Sequence, residues 1–369
     1  MKENDQRKLE KQKKISKNSH ITDVFTIMAI AVFVFSIGIV IYMPPFNSQK
    51  AEDVKIMDIL TTDYISTEFS DHYSRNFPGR DFFVGVKGAS EIAMLKFENN
   101  GVAIAKNGYN VMRDDYPNYN NLRDNVNILR VFSDVLSDYN IQFLLALNGR
   151  PVDSLKFYLP PFYPHTLQDD LWTEFKYQAS GMNTLDLLEP LKNRTSATQE
   201  QLFYRTDNNL TTLGAYYAYV EIARALDIPN SEIRSINDFT VETAADNFRG
   251  KLLQKSGFIW TKSDTVERFR FDGDDIEFIT YVVDTQKMYA GFYDDSYLEN
   301  SDKYGNFISG QYNPRVNINK VGERRETLLI LTNDGAANAI VPFLANHYNL
   351  IVINPQYYDE SIIKLAVSE

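Results

Sequence analysis

Residues Thr327–Asn354 read TLLILTNDGAANAIVPFLANHYNLIVIN, and two apolar runs of strand length frame them. TLLILT (327–332) predicts a buried strand, Asn333-Asp334-Gly335 a turn, Ala336–Tyr348 a helix, and LIVIN (350–354) a second strand, which together make a compact βαβ unit. Working outward, Leu122–Tyr139 carries apolar residues at helical intervals, and IQFLLAL (141–147) is another continuous apolar run. A helix followed by a fully apolar strand points to a parallel sheet covered on both faces. Val102–Ala105 predicts a strand, Lys106–Tyr109 a hairpin turn and Tyr109–Met112 its partner, while Asp81–Phe97 is an amphipathic stretch. The class is α/β, without an internal repeat, heptad array or long low-complexity segment.

The composition narrows the chemistry. The chain has 369 residues, 44% of them hydrophobic, with no cysteine and a net charge of -11. That is enough apolar content for one large or two ordinary domains. A disulfide scaffold, a thiolate zinc site, a cysteine nucleophile and a lipidated N-terminal cysteine are all excluded. The acidic balance argues against nucleic acid, whose phosphates are held by Lys and Arg.

The charge is unevenly laid out. Met1–Met43 holds seven Lys/Arg against four acids, +3, leaving 31 bases and 45 acids, or -14, for the remainder. Val24–Met43 (VFTIMAIAVFVFSIGIVIYM) is free of charge. A run of about 20 such residues spans roughly 30 Å of hydrocarbon as a helix. It is longer than the apolar region of a cleavable signal peptide, and Pro44-Pro45-Phe46 follows it in place of a small-x-small cleavage site. The expectation is an uncleaved signal anchor, with the basic N-terminus in the cytoplasm and everything after Pro44 outside. A buried core helix is the alternative. The predicted organisation is a cytoplasmic tail (1–23), an anchor (24–43), a helical approach (44–97) that includes Asp53–Phe69 and a turn at Asn76–Arg80, and an α/β body (98–369).

In open α/β sheets, sites form beyond the carboxyl ends of strands, where helix N-termini present free N–H groups. This directs attention to Asn333–Asn338 and to a polar cluster able to face it, Tyr204–Thr212, which opens the helix Leu213–Leu226 with Thr211 or Thr212 as N-cap. The segment YRTDNNLTTLGAYYAY (204–219) resembles the signature of the DHHW family of Gram-positive extracytoplasmic proteins, T-D-H-H-W-T-T-L-G-A-Y-Y-A-Y. NFPGRDFF, NNGVAIAKNGY, FRGKLLQKSG, DKYGNFISGQYNP and NDGAANAIVPFLANHYNLIVINPQYYD follow the same family in order. That family is similar to the alginate O-acetylation proteins, and the resemblance implies an SGNH-hydrolase-like parallel-sheet ectodomain.

At the chemical positions this chain departs from the pattern. The resemblance implies an Asp-x-His pair as base, a serine nucleophile and an asparagine supporting the oxyanion. Asp207 stands in place, but Asn208 and Asn209 occupy the histidine places and Leu210 that of the tryptophan. Gly335, after Asp334, takes the place of the serine, Ser309-Gly310-Gln311 that of a Gly-Gly-Asn turn, and Gln356 that of an arginine. Acyl transfer needs an oxygen to attack and a base to take its proton. Gly335 has no side chain, and the Asn209 amide does not titrate usefully. Losing the nucleophile or the histidine alone costs on the order of 10⁶ in turnover in a serine hydrolase.

No replacement is evident. Of the four histidines, His20 lies before the anchor, His72 and His165 read as solvated polar residues, and His347 falls near the end of the helix after Gly335. Asp272, Asp274 and Asp275, and Asp294-Asp295, lack the spacing of a calcium loop and read as solvated turns. No metal or cofactor is expected. Tyr204, Arg205, Tyr357 and Tyr358 are candidates for a sugar-binding groove, whereas Tyr216, Tyr217 and Tyr219 read as core. The expectation is a membrane-anchored extracytoplasmic pseudoenzyme that binds a glycan or a partner in polysaccharide O-acetylation, a membrane-bound O-acyltransferase being the partner the resemblance implies. An active O-acetyltransferase or esterase using Asp207, Asp334 or Ser309, and a purely structural envelope protein, are the alternatives.

Overall fold

The structure, a computed structural model, describes residues 27–28, 30–32, 80–113, 118–161, 163, 166–333 and 335–369. Most of the expected anchor, the approach helix at 53–69, the turn before Arg80, and His20, His72, His165 and Asp334 lie outside the described residues. Among the described residues no helix is long and apolar enough to cross a membrane. The chain divides into two units, Met1–Phe83 and Val84–Glu369, and the second is the α/β body.

Among the described residues the body has twelve strands: β1 (Glu98–Asn99), β2 (Val102–Ile104), β3 (Asn110–Met112), β4 (Leu145–Leu147), β5 (Thr184–Asp186), β6 (Thr240–Phe248), β7 (Asp264–Arg270), β8 (Phe278–Val282), β9 (Lys287–Ala290), β10 (Arg315–Lys320), β11 (Thr327–Leu331) and β12 (Asn349–Ile353). The central sheet has the order β11-β12-β10-β8-β9, flanked by the antiparallel β1-β2-β3 and β6-β7 and the parallel pair β4-β5. The βαβ reading of the C-terminal stretch holds, because β11 and β12 pair in parallel from Thr327↔Asn349 to Leu331↔Ile353. The expected parallel sheet is corrected to a mixed one, in which β10 is antiparallel to both β12 and β8, and β8 to β9. For β8 and β9 the cause is local: only Val283–Gln286 separate them, a hairpin length that cannot carry a parallel crossover.

Three further expectations change. β11 is half-buried, because it is the sheet edge. Of 141–147 only Leu145–Leu147 pair, in a sheet of two strands. The helix expected over Ala336–Tyr348 is one turn, Val341–Leu344, between tighter turns. Asn338 N–H donates to Gly335 and Ile340 N–H to Ala337, three residues back, and Pro342 has no N–H to continue an α-helical ladder.

The helix Thr212–Ala225 forms as expected, with the Thr211 hydroxyl accepting from Gly214 N–H at 3.1 Å. Gly214 is required by packing, since a Cβ there would stand 2.1 Å from the Leu202 carbonyl oxygen. Tyr216 and Tyr219 enter an aromatic core with Phe239, Phe269 and Phe343, and half-buried Tyr217 stacks under Arg194. Ridges of small and aromatic residues thus lock this helix onto the C-terminal βαβ unit.

His347 belongs to the same core. Its Nε2 lies 2.8 Å from the Tyr219 hydroxyl, and the two rings stack. Burial, with Arg325 and Arg234 nearby, lowers its pKa to about 4. The unfolded chain therefore binds a proton between about pH 6.5 and 4 that the folded chain refuses, so this stability is complete above 6.5 and is lost as pH falls to 4. With a discount for partial exposure the expected loss is about 2 kcal/mol. Urea titrations of the chain and of His347→Phe at pH 7 and pH 4 should show the wild type losing that much more than the variant.

Candidate functional site

Asp264, at the start of β7 and buried, organises the loop that carries the Asp207 motif. Its carboxylate accepts from Arg205 N–H (3.0 Å), Thr206 N–H (2.8 Å), the Thr206 hydroxyl (2.6 Å) and the Gln201 amide (2.8 Å). Phe203 and Leu210 bridge the ends of the loop, and Tyr204 N–H donates to the Asn209 carbonyl. Asp207 is directed inward. One of its oxygens accepts from Asn209 N–H (3.2 Å) and the Asn209 amide (3.0 Å), the other from Lys251 N–H (2.8 Å). Gly250 permits this approach, as a Cβ would lie 2.5 Å from that of Asp207. Burial raises the Asp207 pKa above the usual carboxylate range, against the Lys251 N–H that lowers it. Asn209 is buried and Asn208 exposed.

A second cluster forms at the ends of β11 and β12. Ile308, Ser309 and Gly310 all have positive φ (49°, 63° and 87°), a run that non-glycine residues rarely adopt. It is held by Asn338 donating to the Gly310 carbonyl (2.9 Å), and by Tyr297 and Asn313 donating to that of Ser309 (2.6 Å each). Asn354 donates to the Gln311 carbonyl at 2.7 Å. The Gln311 side chain is only 6% exposed, and neither its amide nitrogen nor its oxygen has a partner. Gly335, at φ 71°, faces it, with a Cβ built there lying 3.0 Å from that of Gln311 and 3.2 Å from the Asn338 amide nitrogen. What remains between Gln311, Gly335, Asn338 and Asn354 is a cavity of about 10 Å³, about the room one water needs.

The two clusters are linked. The Tyr304 ring packs against that of Tyr204, and its hydroxyl donates to the Gly335 carbonyl at 3.2 Å. Lys251, whose N–H serves Asp207, extends its ammonium to 5.7 Å from the Tyr312 ring centroid, next to Gln311. Tyr304 and Lys251 thus connect the Asp207 loop with the Gln311–Gly335 pair, whose own surroundings are nearly filled by side chains. Gln356 lies beside them, exposed, its N–H donating to the Asn354 side chain.

Other expected residues fall elsewhere. Tyr204 is corrected to the core, fully buried against Phe248 and Tyr304, because its loop folds inward onto Asp264. Arg205 is half-buried and donates to the Asn107 carbonyl. Tyr357 is exposed and meets Tyr312 edge to face at 6.0 Å, while Tyr358 is half-buried. Neither Asp274 nor Asp294 is a solvated turn. Asp274 is buried beside Arg270, and Asp294 accepts from the Ser309 hydroxyl (2.7 Å), from Ser296 and from Lys287. Among the described residues no three acids or histidines gather as metal ligands. Asn338 closes the stretch Asn333–Asn338 to which the sequence directed attention, whereas Lys251, Tyr304, Asn354 and Asp264 were given no role there, although the first three fall within FRGKLLQKSG, DKYGNFISGQYNP and the C-terminal stretch.

A mixed α/β body with a polar site at the ends of parallel strands has the architecture of an SGNH-hydrolase-like domain. Residues 111–291 match the family described as "SGNH hydrolase-like domain, acetyltransferase AlgX", a stretch that carries Asp207 but ends before Gln311 and Gly335. The chain is similar to the probable alginate O-acetylase AlgJ of Pseudomonas putida, 25% identical over 161 residues, 42% of this chain and 41% of that protein's length. Among solved structures it resembles a DHHW family protein from Eubacterium siraeum (18% identity, TM-score 0.59, covering 73% of this chain and 87% of that one). It also resembles Bacillus cereus PatB1 with a sulfonyl adduct (16%, 0.57, 72% and 90%). The structural likenesses show the SGNH-hydrolase-like fold, and the sequence matches show similarity to an acetyltransferase domain and to an alginate O-acetylase over part of the chain.

Two outcomes follow from the geometry. Gly335→Ser combines a left-handed φ with the close Gln311 Cβ, and should cost about 1–2 kcal/mol in denaturant titrations; adding Gln311→Ala should return part of that loss in a double-mutant cycle. Asp264→Asn should cost about 3 kcal/mol or more, because a buried amide cannot accept from all four donors.

Proposed function

We propose that the chain is a membrane-anchored, extracytoplasmic pseudoenzyme of the SGNH-like class. It would serve as a non-catalytic component of exopolysaccharide or cell-wall O-acetylation, with a membrane-bound O-acyltransferase as its partner. The observation that carries this reading is Gly335 set against Gln311: the nucleophile's place holds no hydroxyl, and the space a side chain there would enter is already taken. No histidine stands in for the base among the described residues, since His347 is committed to Tyr219. Ser309 is a poor substitute nucleophile. Its hydroxyl donates to Asp294, whose carboxyl is held below its usual pKa by Lys287, Ser296 and Ser309 against the effect of burial, and so makes a weak base.

The near absence of open volume favours work done through the outer surface over a glycan held in the old cleft, which supports the partner-binding and structural forms of the reading. The relatives' names supply the process, polysaccharide O-acetylation, and the apolar run at 24–43 with its basic flank supplies the anchored, outward-facing topology.

The test is turnover of 4-nitrophenyl acetate by the detergent-solubilised full chain. The rate should equal the buffer blank and stay there in Asp207→Ala, and a fluorophosphonate that labels a control serine hydrolase should leave the chain unmodified. Measurable turnover that disappears in Asp207→Ala would overturn the reading.

A further inference from the structure

We infer that the surface formed by the helix Arg80–Ala93 beyond Val84, its C-terminal extension and the Ile259-Trp260 loop is a docking face for an anionic lipid bilayer. The helix backs onto the body at Gly85 and Gly88. A Cβ at Gly85 would stand 3.4 Å from the Ile259 side chain, and one at Gly88 3.0 Å from the Ser256 carbonyl. Val86, Ala89 and Ala93 follow at helical spacing and are all exposed. Met94, Leu95 and Phe97 continue the apolar surface, Leu95 being 84% exposed, and Ile259 and Trp260 (48%) flank it. Leu95 also holds the left-handed position at the helix end (φ 62°), which Gly or Asn ordinarily takes. An apolar side chain there gains nothing from water.

Charge selects the occupant. In a chain of -11, the acids on this surface, Glu91 and Glu98, are each paired with a base, Lys96 and Arg113, which leaves Lys87, Lys255 and Lys262 exposed and in no ion pair with a described residue. Asn100 ties two of them together, accepting from the Lys87 ammonium at 2.5 Å and donating to the Lys255 carbonyl at 2.8 Å. An apolar helical face with basic residues beside it and a tryptophan at its edge fits the headgroup boundary, where amphipathic helices lie about 5–10 Å deep. The distance along the chain fits as well. About 40 residues separate Met43 from the body, a tether that keeps it near the bilayer at high effective concentration without fixing its orientation. The face would supply that orientation.

This inference rests on the anchored reading above, and the experiment separates the two. The chain has two tryptophans, so Trp172→Phe leaves Trp260 as sole reporter in the full chain reconstituted into vesicles. With phosphatidylglycerol present, Trp260 emission should shift to the blue and fall by roughly half when brominated acyl chains are used, as for an indole at the headgroup boundary. In phosphatidylcholine alone, at high salt, or in Lys87→Glu/Lys255→Glu/Lys262→Glu, most of that loss should vanish. Trp260 open to aqueous iodide overturns the inference, and so does Trp260 shielded from iodide but untouched by brominated lipid, which would mean that protein covers the face. Alkaline extraction reports on the anchor: a chain released by carbonate whose Trp260 is still quenched by added anionic vesicles loses the anchor and keeps the face. A chain that resists extraction with Trp260 unquenched keeps the anchor and loses the face.

Discussion

Asp264 sits at the first residue of β7 and spends its whole carboxylate on the loop that follows Phe203, accepting from two backbone N–H groups, a hydroxyl and an amide. Thr206, fixed there, presents its carbonyl to Leu252 and Leu253 and its hydroxyl oxygen to Gly250 N–H. The start of the helix Lys251–Ser256 is set by that contact, and Lys251 N–H then holds Asp207. One buried charge thus positions a loop, a helix and a second carboxylate in sequence. It is tolerable because four donors replace the water it gives up.

Gly335 is closely packed by its neighbours. Gln311 takes up the adjacent volume, its polar side-chain atoms without a partner among the described residues and bordering a water-sized cavity. Tyr304 meanwhile engages the Gly335 carbonyl and packs on Tyr204, so the frame around the site is intact.

The parts of the fold legible in the sequence were those with local causes. The helix Thr212–Ala225 and its Thr211 cap follow from periodicity and one hydroxyl, and the parallel β11–β12 pair from two apolar runs around a turn. The antiparallel β8–β10–β12 pairing joins residues dozens of positions apart, and no local signal encodes it. Tyr204 was misplaced because a tyrosine suits a groove or a core equally until its loop is located. At the site, the missing hydroxyl and imidazole could be read from residue types, but the closure of the cleft by Gln311 depends on a backbone conformation at 335 and on side-chain packing. Asp264, embedded in SDTVERF, carried no motif at all.

The three left-handed residues Ile308–Gly310 have a dynamic consequence. Two of them are strained by their own side chains, yet the turn is fastened by Asp294 and Tyr297 from one short turn, by Asn313 just downstream and by Asn338 from the C-terminal stretch. Releasing the turn means breaking several of these bonds together, which ties its opening to that of its neighbours. Catalytic clefts are commonly bordered by segments from the loose end of a protein's stability range. Here the border carries side-chain fastenings at both Ser309 and Gly310.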